Sequence, residues 1–257
     1  MKKSGLGDNA FLGGYNLSGV VTSLNRIGGG PAAMDVTSIS KAGYERIGGL
    51  RTGEISFTSL FDDGGTANRA AAAGSSFVGQ SSLPTADTQV MYLRGTTLGD
   101  PGACMVCKQV NYDGTRAADG MLSFAVQCLS TGYGLEWGRQ LTAGLRTDTG
   151  ATNGASVDDS SSSTFGLQAY LQVGAFVGTD ATVKLQESSD NGGADPFADV
   201  TGGAFAQITS AYQTQRIATA TGQTVKRYLR VVSSTTGGFT ALPFVVVYVR
   251  NGAVPTF

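Results

Sequence analysis

Alternating apolar and polar residues mark many short segments of this chain and predict β-strands. The clearest segment runs from Thr52 to Phe61, where Ile55, Phe57 and Phe61 share one parity and polar residues occupy the other. Gly53, near its start, suggests a bend or bulge. Further strands are predicted at Tyr15–Leu24, Thr88–Gly95, Ala103–Tyr112, Met121–Leu129, Gly132–Leu141, Leu167–Val177, Ala181–Glu187 and Thr224–Ser233.

Other stretches predict different elements. Pro243 to Arg250 is apolar on both parities, which is typical of a central strand covered on both faces. Because both segments are rich in glycine, we predict a turn or long loop at Arg26–Ala33 and one helical turn or a shaped loop at Ser40–Gly49. The alanine-rich run Ala67–Ala73 predicts one short helix, which Gly74 would end.

Composition favours an all-β protein. The 257 residues are 41% hydrophobic, which is enough for a core, and 38 glycines punctuate short β-branched and aromatic runs. Residues 147–164 lack large apolar side chains except Val157. We therefore expect a first domain at 1–150 with an N-terminal arm, a linker at 151–165, and a second domain at 166–257. The second domain would be a β-sandwich, either jelly-roll or immunoglobulin-like.

Two ordered blocks of sequence resemble a known family. The first, DVTSISKAGYERIGGLRTGEISFTSLFD, begins at Asp35, and the second, LPTADTQVMYLRGTTLGDPGACMVCKQVNYDGTRAADGMLSFAVQ, begins at Leu83. Both resemble, in the same order, the major tail tube proteins of long-tailed, siphovirus-like bacteriophages. The resemblance covers roughly Val20 to Leu141. It implies a tail-tube-type β-sandwich or barrel domain followed by the C-terminal sandwich.

That resemblance also implies a function. The chain would be a virion structural protein, assembled in the host cytoplasm into stacked hexameric rings that form the tail tube. Its partners would be other copies of itself, the tape measure, tail tip and terminator proteins, and genomic DNA passing through the lumen without specific binding. The charged loop would contribute subunit contacts, and the candidate residues are Lys41, Tyr44, Glu45, Arg46 and Arg51. Local salt bridges of little energetic weight are the alternative.

Charge and hydropathy fit this expectation. A net charge of −1 shows no basic balance of the kind that grips nucleic acid, and a strongly cationic lumen would trap DNA. No signal peptide is recognisable after Met1, and the longest apolar run, Phe244–Val249, is far too short to span a bilayer. We expect synthesis in a reducing cytoplasm and no membrane partner.

Candidate catalytic and metal-binding chemistry is sparse. Histidine is absent, which removes the usual general base and the common metal ligand. Cys104 and Cys107 form a C-x-x-C spacing, but in a strand pattern their thiols would point to opposite faces, so we interpret them, with Cys128, as core residues. Turn chemistry explains the carboxylates from Asp190 to Asp195 as well as calcium binding does. We predict no enzyme, no metal and no cofactor.

One polar stripe is open to two interpretations. Lys226, Tyr228 and Arg230 share a strand parity and could contact a glycan, a phosphate backbone or a neighbouring subunit. We favour a solvated outer face whose long side chains cover apolar surface.

Two other functions compete with the tail tube. A capsid decoration or other head-associated virion protein would depend on the C-terminal sandwich. A carbohydrate-binding module would need an aromatic platform, and a glycosidase a carboxylate pair in a cleft.

Overall fold

The computed structural model describes residues 5–61 and 85–252. These residues form strands and connecting loops with no helix, so the all-β prediction is confirmed. The helix predicted at Ala67–Ala73 lies outside the described residues. Within them, no helix could cross a membrane.

Seventeen strands are described. Their bounds are β1 Asn9–Leu12, β2 Tyr15–Asn16, β3 Val21–Asp35, β4 Arg46–Leu60, β5 Thr88–Leu93, β6 Pro101–Arg116, β7 Leu122–Ser130, β8 Glu136–Gln140, β9 Arg146–Asp148, β10 Thr152–Asp158, β11 Leu167–Val173, β12 Val177–Gly178, β13 Thr182–Ser188, β14 Ala198–Ala204, β15 Gln213–Ala218, β16 Tyr228–Ser234 and β17 Phe239–Arg250.

The larger sheet has thirteen strands and runs β15-β11-β17-β8-β6-β5-β1-β2. Strands β3, β4 and β7 join it through β6, whose first half pairs with β5 and β8 and whose second half pairs with β7. The smaller sheet has four strands in the order β10-β16-β13-β14. Every strand pair among the described residues is antiparallel, which suits a chain rich in tight glycine turns.

Alternation divides the apolar side chains among three core clusters. One face of the larger sheet packs against the smaller sheet, with Leu171 and Val246 opposite Leu185 and Val231, and so builds the expected C-terminal sandwich. The same face, further along the sheet, packs under β4 and β7 in a second cluster around Phe57.

The opposite face forms the third cluster, in which Phe11, Leu93 and Cys104 meet Tyr170 and Val247. Strands β11 and β17 therefore bury residues of both parities, one set in the first cluster and the other in the third, and their sequences are apolar at successive positions. The prediction of a central strand at Pro243–Arg250 is confirmed, since β17 lies between β11 and β8 and contributes to two clusters.

The segment predicted as a linker contains a strand. Thr152–Asp158 is β10, which pairs with β16 and buries Val157 in the sandwich core. Its other residues are small or polar because β10 is an edge strand that needs only one apolar contact. The larger sheet contains strands from both sides of residue 150, because β8 pairs with β17. Division of the chain into two domains at this point stays a prediction.

The segments predicted as loops on either side of Val36 are also strands. Arg26–Ala33, expected as a turn, lies inside β3, and Arg46–Gly49, expected as part of a loop, begins β4. Glycine and Pro31 are tolerated here because β3 is hydrogen-bonded on one edge only, to β4. In β4, Ile55 and Phe57 are buried as predicted, while Phe61 lies past the strand end and is 41% exposed.

Candidate assembly surface

The β3–β4 hairpin extends beyond the sheet as a two-stranded ribbon. Strand β4 pairs with β7 only from Glu54 to Leu60, so residues 29–53 pair only among themselves. We call residues 29–53 the ribbon. Its seven-residue strand Gly29–Asp35 is about 23 Å long at the usual rise per residue. Within the ribbon, only Gly53 is buried.

The ribbon displays large apolar side chains that no element of the described structure covers. Ile39 is fully exposed, and Tyr44 and Leu50 are 77% and 88% exposed. Met34, Val36 and Ile47 are also exposed on the same ribbon. Six large apolar side chains exposed on one hairpin are more than the singly scattered ones that are ordinary on a protein surface, so the ribbon is a candidate protein–protein interaction site.

The tip of the ribbon is held by local hydrogen bonds. Asp35 accepts a hydrogen bond from the Thr37 backbone N–H at 2.9 Å, and Val36 donates its own N–H to the Glu45 carbonyl at 2.9 Å. Glu45 donates its N–H to the Thr37 hydroxyl at 2.8 Å. The hydrogen bonds from Thr37 hold the pKa of Asp35 below its usual range. The apolar residues of the tip are therefore presented by a structured loop.

Four of the five charged-loop candidates lie at the tip. Lys41 and Glu45 form an ion pair at 2.9 Å, and the Arg46 guanidinium lies 5.1 Å from the centre of the Tyr44 ring. These exposed pairs contribute little to stability. Arg51 is separate from them, at the base of the ribbon. Their role in subunit contacts stays a prediction.

The base of the ribbon packs on the loop between β7 and β8. A Cβ on Gly53 would lie 2.5 Å from the Leu135 nitrogen, so the two backbones touch there. Beside this contact lies an open cleft of about 400 Å³, lined by Pro31, Leu50, Arg51, Tyr133 and adjacent glycines. In the sequence, Gly53 itself is the only sign of this contact.

The outer-face candidates are engaged with neighbours in the sandwich. Lys226 precedes β16 and pairs with Asp195 at 2.8 Å, which lowers the pKa of that carboxyl to about 2. Arg230 lies 4.2 Å from the centre of the Phe197 ring and donates to the Gln186 side-chain oxygen at 2.7 Å. Tyr228 is half-buried beside Arg227. A ligand role for these residues is not tested by this geometry.

The three cysteines are free and buried. Cys104 lies in the third core cluster and Cys107 in the second, so the two thiols point to opposite faces of β6, as predicted. Burial raises the pKa of Cys104 well above its usual range. Across the described residues, no group of three or more potential ligands could hold a metal ion.

The carboxylates of the Asp190–Asp195 turn accept hydrogen bonds and form an ion pair within the protein. Asp190 accepts hydrogen bonds from the backbone N–H groups of Gly193, Ala194 and Asp195, and Asp195 is paired with Lys226. This is turn chemistry, the first of the two interpretations that the sequence allowed.

Two clusters of paired charges, one of them partly exposed, were not predicted from the sequence. Asp159 pairs with Arg139 at 2.6 Å and Arg250 at 3.0 Å, just after β10. Glu136 pairs with Arg216 at 3.1 Å, and both side chains are 8% exposed. Their members are distant in sequence, so only folding brings them together.

No family model matches the chain, and no curated protein matches it. Among solved structures, it is similar to a chain in the tail of an empty gene transfer agent particle refined with C6 symmetry. The identity is 17% over 53% of this chain and 97% of that chain, with a TM-score of 0.40. It is also similar to the Dit protein of phage SPP1, described as a hub adsorption apparatus, at 11% identity over 94% and 97% of the two chains, TM-score 0.32.

A third similar chain belongs to the phage p2 baseplate in its activated conformation. Its identity is 7% over 96% of this chain and 99% of that chain, with a TM-score of 0.37. All these identities and TM-scores are low, so a functional proposal has to rest on the residues of the chain itself.

Proposed function

We propose that this protein is a structural subunit of a long-tailed phage virion, and that it assembles into the stacked hexameric rings of the tail tube. The observation that carries the proposal is the ribbon. Ile39, Tyr44 and Leu50 are displayed on a paired, ordered hairpin that has no partner element within the described residues. Large apolar side chains in such a position are stabilised when a neighbouring subunit covers them.

A second support is the resemblance carried by the two sequence blocks, which include the whole loop and β4. Residues 35–53 of the ribbon, with the charged loop, lie in the first block, so Ile39, Tyr44 and Leu50 lie where that family makes contacts between subunits or rings. Symmetric association through one repeated surface would build a closed ring or a continuing stack.

Passage of DNA through the lumen is part of the proposal. The chain has a net charge of −1, and two basic groups next to the β4–β7 sheet are already paired, Arg26 with Glu54 at 3.1 Å and Lys108 with Asp87 at 2.8 Å. Paired cations release few counterions from a nearby phosphate backbone. Such a surface would let a duplex slide without specific binding.

Negative-stain electron microscopy of the full-length protein over a range of concentrations tests the proposal. We expect rings or tubes with a central hole wide enough for duplex DNA. Ile39→Asp and Leu50→Asp would place a charge on the ribbon and abolish tubes without unfolding the subunit, because both positions are exposed.

Val177→Asp is the matched control, since Val177 is a strand residue 56% exposed on the sandwich. It should assemble like the wild type. A wild-type protein that stays a monomer or compact trimer at every concentration would refute self-assembly and favour a decoration protein. Equal loss of assembly in the control would show that the effect is not specific to the ribbon as a subunit interface.

A further inference from the structure

The loop between β7 and β8 lies between the ribbon and a buried charge cluster. On the ribbon side, Gly53 touches the Leu135 backbone, and a Cβ on Gly134 would lie 3.0 Å from the Arg51 Cβ. Gly132 and Gly134 flank Tyr133 with φ angles of 80° and 74°. Glycine adopts that left-handed backbone without strain, so the tight loop can place Tyr133 beside the ribbon base, where it lines the cleft with Leu50 and Arg51.

On the other side, Tyr133 stacks on Arg216. The guanidinium carbon lies 3.8 Å from the centre of the ring, the shortest cation–aromatic distance among the described residues. Arg216 belongs to β15 and donates to the Tyr170 hydroxyl at 2.9 Å and to Glu136 at 3.1 Å. Tyr170 in turn donates its hydroxyl proton to Glu136.

The polar groups of this cluster are largely buried and are paired with one another. Tyr170 is fully buried, and Glu136 and Arg216 are nearly so. Burial, followed by the adjacent Glu136 carboxylate, raises the pKa of Tyr170, so the phenol remains a donor. Charged groups paired in this way fix geometry because breaking one contact leaves the others uncompensated.

We propose that Tyr133 is a latch through which the C-terminal half of the chain fixes the direction of the ribbon. The contact between Arg216 and the Tyr133 ring fixes the position of the β7–β8 loop. That loop in turn packs against the base of the ribbon, where Leu135 contacts Gly53 and Gly134 lies beside Arg51. When the stack is broken, the loop separates from the ribbon and the ribbon opens at its base. This device concerns the single subunit and stands apart from the question of whether the ribbon builds a tube.

Hydrogen exchange of the soluble full-length subunit, read by mass spectrometry of peptides covering residues 46–53, tests the latch. A stacked guanidinium–aromatic contact is strong enough to change a local opening equilibrium by about tenfold. We therefore expect Tyr133→Ala to raise exchange there by about tenfold while peptides from β11 and β17 keep their wild-type rates. Tyr133→Phe, which retains the ring, should exchange like the wild type.

Arg216→Lys gives an independent measurement, because it keeps the positive charge facing Glu136 but loses the planar group that stacks. It should also accelerate exchange at residues 46–53. If Tyr133→Ala does not fold, Tyr133→Leu replaces it, with the same expectation. Wild-type exchange at the ribbon base in these variants, or acceleration of β11 and β17 in Tyr133→Ala equal to that at the ribbon base, would overturn the latch.

Discussion

Replacing Asp159 by asparagine should strongly destabilise the fold. The carboxylate forms ion pairs with Arg139 and Arg250 and accepts a hydrogen bond from the Tyr248 hydroxyl at 2.8 Å. The Asp159 side chain is 9% exposed. The asparagine side chain would have the same size but no charge, so two guanidinium groups would lose their counterion.

The magnitude follows from the burial of each partner. Breaking a buried ion pair costs about 3–5 kcal/mol. The Arg250 side chain is only 14% exposed, whereas Arg139 is 42% exposed and keeps part of its hydration. We therefore expect the lower end, about 3 kcal/mol of unfolding free energy. For a chain of this length that lowers Tm by roughly 6–12 °C.

Urea denaturation provides the assay, with far-UV circular dichroism and the fluorescence of the only tryptophan, Trp137, as probes. The midpoint should fall while the slope stays constant, because the surface exposed on unfolding is unchanged. Asp158→Asn is the matched control. Its partner, Arg227, is exposed, so the midpoint should move much less. A wild-type midpoint in Asp159→Asn, or equal shifts in both variants, would refute the reasoning.

Two further predictions concern a tyrosine and a glycine. Burial, and then the hydrogen bond to Asp8, raise the pKa of Tyr92 from 10.0 to about 12, so stability that is complete below pH 10.0 should be lost as pH rises towards about 12. Tyr92→Phe should show a shallower fall in this interval when unfolding is measured across pH, and an unchanged fall would contradict the assignment. Gly53→Ala should lower the free energy of unfolding, measured in urea, by about 1–3 kcal/mol because the added Cβ would meet the Leu135 backbone. Gly28→Ala is the control, since its Cβ would meet nothing closer than 3.7 Å, and equal costs would argue against the contact at the ribbon base.

The strands with one clearly buried face could be predicted from sequence. In β4, and in the middle of β7, apolar residues alternate because one face packs on the core, and the observed burial of Ile55 and Val126 follows that pattern. Strand β17 was recognisable for the opposite reason, since both of its faces are buried.

The ribbon and β10 could not be predicted in the same way. An edge or free-standing strand buries little, so no alternation is selected, and Gly28 to Pro31 then has the composition of a turn. Strand β10 has a single buried apolar residue, Val157. In both cases backbone pairing, not side-chain burial, defines the strand.

The candidate site was predicted in part for a related reason. Lys41 to Arg51 was singled out by charge and by resemblance, and the structure places these residues on one exposed ribbon. Tyr133 and Arg216 were not singled out, because their contact joins positions far apart in the sequence. A single sequence carries local periodicity, but it contains no direct record of such pairs.

The third core cluster bears on how the assembly should be studied. Phe11, Leu93 and Cys104 come from before residue 150, and Tyr170 and Val247 come from after it, yet they bury one another. Separating the halves would expose this apolar surface on both, and it would also remove the strand pairing between β8 and β17. An isolated first half would then associate through a surface that the whole chain keeps internal. Rings formed by such a fragment would not identify the ribbon as the interface, whereas ribbon variants in the full-length chain leave the shared cluster intact.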